Sequence, residues 1–209
     1  MIRCRTTYSP SFIAGFLEGD GTILHQIRKG GDGRPFFRPI IRFCNDELWL
    51  LNEIEHKLGK GQYHSQSYES KNCRVTHYLS YDSQKRVKPI ADMLSQSYLS
   101  PHRQQQLRPI LDKLNIQPRH AKSITLDWIR GFAAAEGCAS WSSSVIKFRD
   151  YRYLNYLLFQ KDPTVLKCIQ GYLKDFDIQC RVSPDGEFYR LVVGRLEDVE
   201  KFRQLLEVE

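Results

Sequence analysis

The sequence predicts an α+β fold made of two pseudo-symmetric half-domains, each ordered αββαββα. One pair of helices lies at their interface, and the antiparallel β-sheets spread into a saddle. Three observations predict it. A segment of nine or ten residues occurs twice in the 209-residue chain. The helix and strand signals after each copy follow the same order. The composition is 41% hydrophobic and 12% aromatic, enough for a packed core and unlike a disordered chain.

The repeated segment reads IAGFLEGDG from Ile13 to Gly21 and IRGFAAAEGC from Ile129 to Cys138. At an offset of 116, Gly15 matches Gly131, Phe16 matches Phe132, Gly21 matches Gly137 and Asp20 matches Glu136. Gly15 and Gly19 stand four apart, as do Gly131 and Ala135. Small residues at that spacing line one helix face and let two helix backbones approach closely.

Each element follows in turn. Ser9-Pro10 opens the first motif helix, and Gly21 reads as its C-terminal stop. Segment 22–29 alternates as a strand, GGDGRP is a turn, and 36–44 is a second strand. Asp46 caps a helix over 47–59. GQYHSQSYES and CRVTHYLSY form a hairpin, and VKPIADMLSQSYL is a helix. A helix over 103–114 and a polar linker join the halves. In the second half Thr125 or Asp127 caps the motif helix, and strands follow at CASWSSSVIKF and RYLNYLLFQ. Asp162-Pro163 opens a helix, IQCRVSP and FYRLVVG form a hairpin, and LEDVEKFRQLLEV closes the chain. Phe43 and Phe159, and Asp46 and Asp162, keep the offset of 116; Leu51, Ile54 and Leu58 match Leu166, Ile169 and Leu173 at 115. The expected division is 1–100, first half; 101–123, connecting helix and linker; 124–209, second half.

Lysine and arginine number 31 against 24 acids, a net charge of +7 that suits a polyanionic partner. The six cysteines include no C-x2-C pair, which argues against zinc and for reduced thiols in an intracellular protein. No secretory h-region and no membrane-length apolar run is present, so no membrane partner is expected.

Asp20 and Glu136 fall at the C-terminal ends of the two motif helices, where the helix dipole disfavours a carboxylate. A divalent cation reverses that argument, and Mg²⁺ accepts one or two carboxylates plus phosphate. Two acids at a pseudo-twofold axis suit metal-dependent chemistry on a pseudo-symmetric substrate, for which double-stranded DNA is the leading candidate.

GFLEGDG followed by TILHQIRK, with the looser second copy, resembles the LAGLIDADG motif of homing endonucleases in their single-chain, two-motif form. The likeness spans nearly the whole chain. It implies Asp20 and Glu136 as metal-binding catalytic acids, with the peptide carbonyls of Gly19 and Ala135 as further metal ligands. It implies an accessory glutamine at the end of the second strand, which is Gln160 in the second half with Cys44 opposite it in the first. Arg103, beside His102, is the nearest match to an accessory base. The cofactor implied is Mg²⁺, with Mn²⁺ substituting and Ca²⁺ binding without turnover.

Strand parity sorts the DNA-facing side chains. In 22–29, Ile23, His25 and Ile27 are expected inward and Thr22, Leu24, Gln26 and Arg28 outward. In 36–44, Phe37, Ile41 and Phe43 point inward and Arg38, Ile40 and Arg42 outward. Gln62, His64, Gln66, Arg74, Thr76 and Tyr78 complete the first face. Ser140, Ser142, Ser144, Arg152, Gln179, Arg181 and Arg190 make the second. Gln and Arg can read base edges in the major groove. The two faces differ, so the expected target is long and non-palindromic, and binding salt-dependent.

The resemblance thus implies a monomeric, Mg²⁺-dependent endonuclease that leaves short 3′ overhangs and serves intron mobility. Alternatives are an intron RNA maturase and a catalytically dead DNA-binding protein on the same scaffold. An initial methionine and no splicing-domain signal favour a free-standing intron-encoded protein. Prokaryotic cytoplasm, mitochondrion and chloroplast all suit it.

Overall fold

The computed structural model describes residues 8–67, 75–146 and 149–206, with the side chains of all of these except 67, 142–146 and 149–153. The first half runs α1 (Pro10–Asp20), β1 (Gly21–Lys29), β2 (Pro35–Asn45), α2 (Leu48–Leu58), β3 (Gln62–Ser67), β4 (Val75–Tyr81) and α3 (Gln84–Gln96). After the connecting helix α4 (Pro101–Leu114) come α5 (Leu126–Glu136), β5 (Gly137–Ile146), β6 (Arg149–Gln160), α6 (Pro163–Lys174), β7 (Arg181–Asp185), β8 (Phe188–Val193) and α7 (Leu196–Leu206). Each half forms one antiparallel sheet, ordered β1-β2-β4-β3 and β5-β6-β8-β7. The α+β architecture with the order αββαββα in each half is as the sequence predicts. No helix among the described residues is long and apolar enough to cross a membrane.

The motif helices start alike. Ser9 accepts from the Phe12 amide at 3.1 Å, and Thr125, rather than Asp127, accepts from the Trp128 amide at 3.2 Å. Such caps satisfy donors that a helix start leaves open. Asp127 instead pairs with Arg130 at 3.1 Å, and Arg130 also donates to the Leu205 carbonyl, tying α5 to α7.

At the centre, α1 and α5 touch backbone to backbone. A Cβ on Gly15 would lie 1.9 Å from the Trp128 carbonyl oxygen, and one on Gly131 would lie 1.9 Å from the Phe12 carbonyl oxygen. The reciprocity is the pseudo-twofold axis itself. Phe12, Phe16, Trp128 and Phe132 are almost wholly buried around this contact and join one continuous core drawn from both halves. Each contributes roughly 1.5–3 kcal/mol by burial.

Neither motif helix ends in a left-handed cap. Gly21 stops α1 as expected, but it (φ −109°) and Gly137 (φ −83°) are extended and begin the strands. Glycine is needed there for space: a Cβ at either position would lie 2.3 Å from a carbonyl oxygen, of Leu17 or Ala133.

The sheet register corrects the offset between halves. Gly21 pairs with Phe43, whereas Gly137 pairs with Leu158. The second hairpin is therefore one residue shorter, and from β2 onward equivalent residues are 115 apart. Phe43 matches Leu158, not Phe159, and the α6 cap Asp162 matches the α2 cap Glu47, not Asp46. The one-residue slip lies in the hairpin.

Each sheet packs one face on the helices. Ile23, Ile41, Phe43, Leu79 and Tyr81 line that face in the first half, and Tyr156, Leu158, Leu191 and Val193 in the second. His25 and Ile27 share the inward parity but are exposed, Ile27 at 66%. The β1–β2 ribbon outruns the helices beneath it, and His25 instead stacks on Phe37 at 5.4 Å.

Replacing Gly15 or Gly131 by alanine should lower stability by about 3 kcal/mol, because the obstacle is a backbone oxygen that no rotamer change can move. Gly171, inside α6 with nothing within 4 Å of its Cβ position, is the contrast: its alanine variant should gain roughly 0.5–1 kcal/mol. Urea unfolding midpoints of the three variants test both statements.

Candidate active site and nucleic-acid interface

The close helix contact carries two acids to one place, because Asp20 and Glu136 are the last residues of α1 and α5. A Cβ on Gly19 would lie 2.7 Å from the Ala135 Cβ, 2.8 Å from Glu136 Cγ and 3.7 Å from its carboxyl carbon. Both acids line a cavity of about 610 Å³ with Cys44, Asn45 and Asp46. Asp20 accepts a hydrogen bond from Asn45 Nδ2 at 3.1 Å.

The electrostatics are those of crowded, dehydrated anions. Burial pushes the Asp20 carboxyl up to about 6, Asn45 opposing and the Asp46 charge adding to the rise. Burial, then the Asp20 charge, pushes Glu136 up to about 7, against an opposing pull from Arg103. Burial and both carboxylates hold the Cys44 thiol up at about 11. Neither acid has an ion-pair partner among the described residues. The final carbonyls of two helices add partial negative charge at the same end. Two unneutralised carboxylates beside main-chain oxygens suit Mg²⁺, which needs few protein ligands. Among the described residues no three His, Cys, Asp or Glu side chains gather into a larger cage.

The two residues expected as accessory groups meet on one atom. Arg103 Nη2 and Gln160 Nε2 each donate to the Glu18 carbonyl oxygen at 3.2 Å. Arg103 also pairs with the Glu18 carboxylate at 4.0 Å and donates to Gln106 at 2.9 Å. Glu18 is 3% exposed and accepts from the Ser100 amide at 3.0 Å. Burial raises its pKa, opposed by the Ser100 hydrogen bonds and the Arg103 charge.

The corrected register puts Asn45, not Cys44, opposite Gln160. Asn45 pairs with His77 in β4 as Gln160 pairs with Tyr189 in β8. Each half thus keeps a side-chain amide at the end of its second strand, and the amides do different work: Asn45 binds Asp20, while Gln160 crosses to α1. Asn45 and Glu18 are the two residues that sequence reasoning missed. The offset of 115 between helices 47–59 and 163–174 already carried the signal for Asn45. Glu18 could have been noticed as a second acid inside the first motif, absent from the second, where Ala134 stands.

Of the residues expected to face DNA, Thr22, Leu24, Gln26, Arg28, Arg38, Ile40, Arg42, Gln62, His64, Gln66, Thr76 and Tyr78 fall on one face by register. Ile40 does not point into solvent; it is 6% exposed, flanked on its face by Arg38 and Arg42 and opposite Leu24. Arg38 is tied to Asp82; Arg42 donates to Ser80 at 3.1 Å and lies 5.6 Å over the Tyr78 ring. Arg28 donates to Gln26 at 2.8 Å. In the second sheet, Ser140, Arg181 and Arg190 share the uncovered face, with Arg190 near Asp185 at 3.7 Å. Gln179 is exposed but precedes β7, in the loop after α6. Arg152 pairs with Ser143, out of step with Ser142 and Ser144, so its place in β6 belongs to the opposite set of residues. The parity expectation failed there because it was taken without the true register. The side chains of Ser142, Ser144 and Arg152 lie outside the described residues, as does Arg74 altogether.

Both acids have folded pKa values above their ordinary 3.8 and 4.5. The folded state therefore holds their protons more tightly. This contribution is fully present below the ordinary values and is lost as pH rises through about 6 and about 7. Asp20→Asn and Glu136→Gln should each stabilise the metal-free protein by about 2 kcal/mol at pH 8 and change little near pH 4. Thermal unfolding in chelator at both pH values tests this.

No family model and no curated protein matches the chain. Solved structures do. I-SmaMI bound to an uncleaved DNA target in the presence of calcium ions aligns at a TM-score of 0.61 and 14% identity, over 96% of this chain and 85% of that one. The LAGLIDADG meganuclease I-AabMI bound to uncleaved DNA aligns at 0.60 and 20%, over 94% and 82%. The LAGLIDADG homing endonuclease I-GzeII in complex with its DNA target aligns at 0.59 and 14%, over 96% and 84%. By its paired motif helices, its two four-stranded sheets and these neighbours, the chain has the fold of the LAGLIDADG homing endonucleases.

Proposed function

We propose that this chain is a site-specific DNA endonuclease that makes a divalent-metal-dependent double-strand break in a long, non-palindromic target. The observation that carries this reading is the pair of buried, unneutralised carboxylates at the touching ends of α1 and α5. Neighbours of the same fold held on DNA targets support it, as does the net charge of +7. In this reading the chain acts as a monomer, residues 1–100 and 124–209 each engaging one half-site and joined through 101–123.

Asp20 and Glu136 would hold the cation, with main-chain oxygens of Gly19 and Ala135. A bound divalent ion, Mg²⁺ in our proposal, supplies Lewis-acid stabilisation of charge on the phosphate and leaving oxygen. The protein's own contribution is placement. Asn45 orients the Asp20 carboxylate, Arg103 and Gln160 stand on the opposite side at Glu18, and the uncovered sheet faces present Arg, Gln and Ser to the duplex. Short 3′ overhangs and service in intron mobility complete the proposal.

The test begins with duplexes selected by binding from a random library, then incubated with Mg²⁺ or chelator. Metal-dependent cutting of both strands is expected, lost in Asp20→Asn and Glu136→Gln while binding persists; end sequencing reads the overhang. Tight binding without cutting in Mg²⁺ or Mn²⁺ would instead indicate a regulator, and splicing assistance that survives both substitutions a maturase. Affinity should fall about 10³-fold or more between 50 and 200 mM salt if six or more phosphates are neutralised.

A further inference from the structure

The two halves of the site differ around Glu18. In the first half, Glu18 is a buried hub. Its carboxylate accepts the Ser100 amide, which begins α4, and faces Arg103 at 4.0 Å; its carbonyl accepts Arg103 and Gln160 together. Ser100 Oγ caps the Arg103 amide, so backbone and side chain of Arg103 are both anchored on Glu18 or its partner. The guanidinium donates into the last turn of α1, within electrostatic reach of Glu136.

Among the described residues the pseudo-twofold image of this place contains no such device. Glu18 maps to Ala134, Gln160 to Asn45 and the α6 cap Asp162 to Glu47. Ala134, Asn45 and Glu47 all line the cavity of about 610 Å³. Where the first half is filled by the start of α4 with its arginine, the second half is open among the described residues. Among the described residues the only guanidinium lining that cavity is that of Arg130, held by Asp127 and the Leu205 carbonyl.

We propose that Glu18 is a positioning residue for Arg103 and that this one-sided anchor makes the two target strands unequal, the phosphodiester attended by Arg103 being cut first. The proposal rests on the nuclease reading above. In each hydrolysis a water oxygen bonds to phosphorus, the P–O3′ bond breaks and the leaving oxygen takes a proton. A guanidinium held in place stabilises charge on the phosphate without first having to be ordered. Arginine's fork makes that orientation specific, and a lysine cannot reproduce it.

The experiment uses Glu18→Gln, which keeps an acceptor for the Ser100 amide while removing the charge, and Arg103→Lys, which keeps the charge without the fork. Duplexes labelled on either strand are cut at saturating protein. The native protein should cut one strand at least about tenfold faster, with a nicked intermediate, and both variants should slow that strand about tenfold while leaving the other within about twofold. DNA affinity and melting temperature are measured alongside, since a merely structural loss would slow both strands together. An equal slowing of both strands, or selective slowing of the slower one, overturns the proposal. A second readout needs no cleavage: in the DNA-free protein the Arg103 Nη–H groups, which donate to the Glu18 carbonyl and to Gln106, should give a protected nitrogen-15 resonance that Glu18→Gln abolishes. Persistence of that signal in the variant refutes the anchor. Absence of cutting by the native protein with the signal lost in the variant refutes the nuclease reading instead, and the strand inequality with it.

Discussion

Everything in this molecule hangs on the reciprocal contact of α1 and α5, where each helix presses a glycine against the other's carbonyl oxygen. At that separation no Cβ fits at Gly15 or Gly131. Large apolar side chains crowd the sides of the contact, so the close approach is held by burial of Phe12, Phe16, Trp128 and Phe132. The axis so defined sets where both sheets begin, because each helix passes directly into a strand through Gly21 or Gly137.

The same contact creates an electrostatic problem. It gathers two carboxylates and two helix C-termini into a partly dehydrated cleft, and the carboxyl groups respond by holding their protons to about 6 and about 7. Stability is given up in the free protein to assemble a place that favours a cation. Functional sites commonly concentrate such cost. The fold tolerates it because the surrounding core is continuous across both halves.

Symmetry stops at the accessory groups. Glu18, Arg103 and Gln160 form a linked set on one side, and among the described residues Asn45 answers on the other. Along the sheets the arginines are already tethered, Arg38 to Asp82 and Arg42 to Ser80 and Tyr78. Such tethers reduce the side-chain ordering that binding would otherwise require. They also explain why Ile40, between the two, is covered rather than presented.

The sequence by itself determined the order of elements, the pairing of the motif helices and the two acids at their ends. These follow from local signals, namely small residues four apart, caps, turns and apolar periodicity, which a single stretch of chain carries in full. Only the tertiary structure decided the register of the second hairpin, and with it that Asn45 and not Cys44 answers Gln160 and that Arg152 is out of phase. Side-chain alternation has period two, so a one-residue difference in a hairpin inverts the assignment; the offset of 115 between the helices that follow carries the slip, but not where along the strands it falls. The tertiary structure also decided the role of Glu18. Its partners are 82, 85 and 142 positions away in the chain, and only packing of α4 and β6 against the end of α1 brings them to it.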